Sequence, residues 1–194
     1  MRILAVLLVV VAFAVSGCGG SDPSSKPPTE TGTTAVTSDV PFDRAFIDAM
    51  VPHHQSAIEM AHEAKEAGLA EPELIQVADD IIASQQGEID DMLSWRKQWF
   101  GPGKRDSEEA ALEQLGLTPA EAGMEHDSMS MSDADDVDQA FAESMIGHHE
   151  GAIRMARLAE TKAGHAEIKT LAGDIIAAQE REIAVMEKHA MAKH

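Results

Sequence analysis

The chain carries one two-segment pattern twice, and that repetition limits its fold more than any other feature. Residues 43–61 laid over 138–156 agree at 10 of 19 positions, and 74–92 over 168–186 at 9 of 19, with the offset changing from 95 to 94 between the blocks. Self-similarity at this scale marks one supersecondary unit used twice. Within each block the apolar residues recur every three or four positions, which is helical periodicity. Gly68 and Pro72 punctuate the first copy, and Gly101-Pro102-Gly103 closes it. The pattern predicts helices over about 42–67, 73–99, 136–163 and 165–188. Turns this short make each helix pair antiparallel, and two hairpins burying their apolar stripes together make an all-α four-helix bundle.

The first helix of each copy holds the chemistry. Met50-Val-Pro-His53-His54 runs on to Met60, and Met145-Ile-Gly-His148-His149 runs on to Met155. At 100° per residue these histidines and methionines share one arc with Phe46, Ala57 and Ala61, so they point toward the bundle interior. Four imidazoles placed there need partners. Imidazole and thioether are donors that suit copper, and thioether favours Cu(I). In the second helix of each copy Gln85 and Glu88, and again Gln179 and Glu182, lie on the apolar arc. There they are placed to accept a ring N–H and so orient a ligating histidine. The same arrangement also describes a buried polar network that fixes helix register without metal.

The N-terminal segment reads as a targeting signal. Arg2 precedes an apolar run over 3–15, and Val15-Ser-Gly-Cys18 has small residues before a cysteine. This resembles a bacterial lipoprotein signal, with 1–17 removed and Cys18 lipidated; an ordinary signal peptide with an incidental cysteine is the alternative. Residues 18–41 then form a flexible tether, rich in Ser, Thr, Pro and Gly. Lipid anchoring puts the domain on the outer face of a bacterial cell membrane. Cys18 is the only cysteine, so its acylation leaves no thiol for a disulfide, thiol catalysis or a blue-copper site. With 34 acidic against 15 basic residues and a formal net charge of −19, nucleic acid is a poor partner and a metal cation a suitable one.

Between the hairpins (42–100 and 136–194) lies a connection over 101–135, longer than packing requires. Ser107–Leu115 suits a short helix, and Thr118-Pro119-Ala120-Glu121 has the order of a helix start. Met124, His126, Met129 and Met131 follow in a polar context. They read as an exposed, mobile auxiliary metal site. His189, Met191 and His194 make a weaker soft cluster at the C-terminus, while His62 and His165 carry no assignment.

The Met-x-x-His-His-x-x-Ala-Ile-x-Met-Ala pattern at Met50–Ala61, with its copy at Met145–Ala156, resembles the bacterial domain of unknown function 305. The resemblance covers nearly all of 42–189 in two copies. It implies a ferritin-like four-helix fold, copper handling outside the cytoplasm, and ligands at Met50, His53, His54, Met60, Met145, His148, His149 and Met155. A protein that donates or accepts the metal is then an expected partner. A ferritin-like fold also invites a di-iron oxidase, but Glu59-Met-Ala-His62 answers to Arg154-Met-Ala-Arg157 in the second copy, and arginine binds no cation. The sequence therefore points to copper sequestration or delivery and away from an enzyme. A metal-free structural or interaction lipoprotein is the remaining reading.

Overall fold

The computed structural model describes residues 41–124 and 131–190, and its elements there are helical. Helices α1 (Pro41–Ala67) and α2 (Pro72–Phe100) form one hairpin, and α4 (Val137–Lys162) and α5 (Ala166–Ala190) the other; α3 (Glu108–Leu115) and a 3₁₀ turn (Met131–Asp133) lie in the connection. Local signals explain the limits. Pro72 opens α2 where its missing N–H is harmless. Ser107 caps α3 by accepting from Ala110 N, and Asp136 caps α4 by accepting from Gln139 N at 3.2 Å. Thr118 and Glu121 bond reciprocally as a capping box. Yet they start only a single turn, because Gly123 enters the left-handed region at φ +71°. The helix start read at 118–121 is thus one turn.

Helices α1 and α4 pack against each other at the centre, each flanked by its hairpin partner, while α2 and α5 scarcely meet. The central pair is antiparallel, since residues 45–51 of α1 share an apolar cluster with 152–159 of α4, and 57–64 with 141–145. Phe46 and Phe141, at repeat-related positions, are the largest fully buried side chains. Each burial of that size contributes about 2–3 kcal/mol. Helix α3 adds Ala111, Leu112 and Leu115 to the first cluster only, so the two ends of the bundle are covered unequally.

Two repeat-related aspartates clasp the hairpins together. Asp138, at the start of α4, accepts from Ala70 N and Glu71 N at 2.9 Å each, where α2 has no side-chain cap of its own. Asp43, fully buried at the start of α1, accepts from Gly164 N (2.9 Å) and His165 N (2.8 Å), and pairs with His165 Nδ1 at 2.5 Å. Each hairpin caps the other's turn. His165, unassigned from sequence, also lies flat on Trp99, ring centroids 3.8 Å apart and 6° from parallel. A buried ion pair joins α2 to α1 and also holds the connection: Arg96 Nε donates to Asp48 Oδ1 at 2.8 Å, Arg96 Nη2 to Lys104 O at 3.3 Å, and Asp106 N to Asp48 Oδ2 at 3.0 Å. Among the described residues no helix is long and apolar enough to cross a membrane.

Candidate metal centre

Where α1 and α4 cross, the paired histidines meet. His53, His54, His148 and His149 are at most 1% exposed, and the His53 and His148 rings lie 3.7 Å apart between centroids. Their helical register explains this: each pair occupies the core arc one turn from a fully buried methionine, Met50 or Met145. Met50 precedes His54 by four residues and Met145 precedes His149 by four, so thioether and imidazole are neighbours on one helix face.

The hydrogen bonds set ring orientation. His54 Nε2 bonds to Glu88 Oε2 at 2.7 Å, and His149 Nε2 to Glu182 Oε2 at 2.7 Å, the same bond at repeat-related positions. Donation to a carboxylate leaves the lone pair of the neutral ring on Nδ1. His54 Nδ1 and His149 Nδ1 are both buried with no hydrogen-bond partner among the described residues. A buried, unused imidazole lone pair is unfavourable unless something occupies it. His53 differs, since its Nε2 bonds to the Ala122 carbonyl of the connection at 2.8 Å. A carbonyl oxygen only accepts, so Nε2 carries the hydrogen there too.

Several expectations need correction. Glu88 and Glu182 accept from histidine, but Gln85 and Gln179 do not: their Oε1 atoms are buried without a partner among the described residues. One helical turn separates glutamine from glutamate, and only the glutamate reaches the ring. Met131 is not exposed. Its N–H donates to Glu63 Oε1 at 2.9 Å, which holds the 3₁₀ turn on α1 and puts the thioether, 5% exposed, into the core. Met124 is half-buried against the other cluster. His126 and Met129 lie outside the described residues, as do Cys18, Met191 and His194. Met60 is half-buried although Met155, at the repeat-related position, is fully buried. The end of the bundle holding Met155 is covered by α3, and that holding Met60 is not. His189, read as part of the C-terminal soft cluster, bonds from within α5 to Glu73 at 3.2 Å.

The methionines consequently fall into two groups that the repeat does not define. Met50, Met92 and Met155 share one apolar cluster, with Met124 against it. Met145, Met186 and Met131 share the other, with Met60 against it. Each group draws on both hairpins because α1 and α4 run antiparallel. An open groove of about 880 Å³ between α2 and α5, lined by Pro72, Gln76, Asp80, Ala178, Glu182 and Val185, reaches the centre through Glu182. Among the described residues no three His, Cys, Asp or Glu side chains converge on one point.

The model of the family described as "Domain of unknown function (DUF305)" matches residues 28–92 and 43–190. The chain belongs to this family. Among solved structures it is similar to CopM in its Cu(I)-bound form, with 34% identity over 75% of this chain and 93% of that one and a TM-score of 0.60. It is also similar to CopM in its Cu(II)-bound form, with 32% identity over 78% and 98% and a TM-score of 0.63. A putative secreted DUF305 protein from Streptomyces coelicolor shares the fold, with a TM-score of 0.62 at 24% identity over 75% and 89%. No curated protein matches the chain.

Proposed function

We propose that this chain is a copper-binding lipoprotein, tethered through Cys18 to the outer face of a bacterial membrane. It holds Cu(I) at the α1–α4 crossing and sequesters it or passes it to a partner protein. It binds and does not catalyse. The observation that carries the reading is the pair of buried Nδ1 lone pairs on His54 and His149, each one helical turn from a buried thioether. That donor set suits a soft monovalent ion. Similarity to CopM, which has been solved with Cu(I), Cu(II) and Ag, supports copper over other metals. Met50, His53, His54, Met60, Met145, His148, His149 and Met155 are the proposed donors, and Glu88 and Glu182 orient the rings. Buried Met131 and half-buried Met124 extend the thioether groups inward.

A chelator competition under reducing conditions tests this on the full chain and on His54→Ala/His149→Ala. Protons compete for the imidazole lone pairs, so wild-type Cu(I) affinity falls from pH 7.5 to pH 5.5. The double variant binds at least about tenfold more weakly with a flatter pH profile. Equal affinity and an unchanged profile would refute histidine ligation. Zinc binding as tight as Cu(I) would refute the thioether contribution. One observation favours a second reading, a metal-free bundle: His53, His54 and His149 already have Nε2 acceptors without any ion. Under that reading Ag(I) leaves the melting temperature unchanged, whereas a binder is stabilised by mass action.

A further inference from the structure

The two copies differ along one stripe of their first helices. Gly147, Gly151 and Arg154 of α4 answer to Pro52, Ser56 and Glu59 of α1. At i, i+4 and i+7 these three residues share one face of α4. The turn over 118–124 sits against that face. A Cβ built on Gly151 would overlap the Ala122 carbonyl and come within 2.5 Å of Gly123 N, and one built on Gly123 would lie 3.0 Å from His148 Cα. Backbone meets backbone here, and only glycine permits that approach. Arg154 Nη1 completes the seat by donating to Glu121 O at 2.8 Å. The Thr118–Glu121 capping box braces the turn from within. What the seat delivers is the Ala122 carbonyl, fully buried and 2.8 Å from His53 Nε2.

We infer that the Thr118–Met124 turn is a positioning element of the metal centre: its Ala122 carbonyl holds His53 in the tautomer that offers Nδ1 to a metal, and Gly123, Gly151 and Arg154 seat it. His54 and His149 take the same instruction from helix-borne glutamates. His53 takes it from the connection, which gives that segment's length a purpose beyond joining two hairpins. The inference rests on the copper reading for its metal and on the hydrogen bond alone for its tautomer. A turn that merely closed the core would alter stability and leave both the ring tautomer and the affinity of the folded molecule unchanged.

The test uses the full chain and its Gly151→Ala variant, with folding monitored by far-UV circular dichroism. Nitrogen-15 NMR of the metal-free protein reads the His53 tautomer, and chelator competition reads Cu(I) affinity. In the wild type His53 shows a protonated Nε2 and an unprotonated Nδ1. In Gly151→Ala that bias is lost while His54 and His149 keep theirs, and Cu(I) affinity falls about tenfold, the scale expected for removing a group that orients a ligand. If Gly151→Ala fails to fold, Arg154→Gln, which removes the guanidinium donor to the turn together with its exposed pairing to Glu150, carries both readouts with a smaller loss of the same sign. Wild-type tautomer and affinity in the variant that folds would overturn the inference, as would a lost tautomer with unchanged affinity. A wild type that binds no Cu(I) would instead overturn the functional reading, and the metal role of the turn with it. The tautomer measurement separates the two failures because it uses no metal.

Discussion

Replacing Asp43 by alanine tests how the two hairpins are held together. Asp43 is fully buried and accepts from two backbone N–H groups at the start of α5 as well as facing His165 Nδ1. Hydrogen bonds to a charged group contribute about 1.5–3 kcal/mol each where buried, and orphaned donors add their desolvation penalty. Water can enter the half-open turn and recover part of this, so a loss of about 3 kcal/mol is expected. Asp138→Ala is the internal control. It removes the repeat-related clasp, but that carboxylate is partly exposed and accepts only two N–H groups, so the loss is that of a helix cap, about 1 kcal/mol. For a domain of this size 1 kcal/mol corresponds to about 2–4 °C in Tm. The expected falls are therefore about 6–12 °C for Asp43→Ala and about 2–4 °C for Asp138→Ala. The clasps lie at opposite ends of the bundle, so the double variant should be additive within about 0.5 kcal/mol. Urea unfolding followed by circular dichroism measures the stabilities, and Trp99 fluorescence reports the His165 end because the two rings stack. If Asp43→Ala were no more destabilising than Asp138→Ala, burial and the third bond would not carry the difference assigned to them here.

Two further outcomes follow from the same geometry. Arg96→Ala leaves the buried Asp48 carboxylate with Asp106 N (3.0 Å) and the more distant Arg44 (3.8 Å), so denaturant unfolding should show a loss of about 3 kcal/mol, at the low end for a broken buried pair. The Glu121 carboxyl is held below its ordinary 4.5 mainly by the backbone N–H of Thr118, then by the Thr118 hydroxyl, with Arg154 adding to the shift. A depressed folded-state value means the brace is fully present above about pH 4.5 and is lost as pH falls through the lower folded value. Glu121→Gln should therefore speed hydrogen exchange at the Thr118 amide near pH 6, and the difference should vanish at low pH. Equal exchange at pH 6 would show that the capping box does not brace the turn.

The sequence by itself determined what periodicity and local chemistry can carry. Helical spacing, Gly68 and Pro72, and the Ser107 and Asp136 caps are short-range signals, and they explain the end of α1 and the starts of α2, α3 and α4. The arc that buries the four histidines with Met50 and Met145 follows from the same 3.6-residue period. Even the choice of glutamate over glutamine was half visible, since both stood on the arc and only their reach differed. What the tertiary structure decided depends on groups far apart in the chain. Met131 has no periodic neighbours to signal burial, and it enters the core because Glu63, 68 residues earlier, accepts its N–H. Asp43 reads as an ordinary first-turn acid until the fold brings residues 121 and 122 positions away onto it. The His53 acceptor is a backbone carbonyl, which no residue type advertises, and Gly151, which admits it, looks like a helix weakness until a turn is seen packed on it. Local periodicity places a side chain on a face, but only the packing of distant backbone onto that face decides which atom it meets.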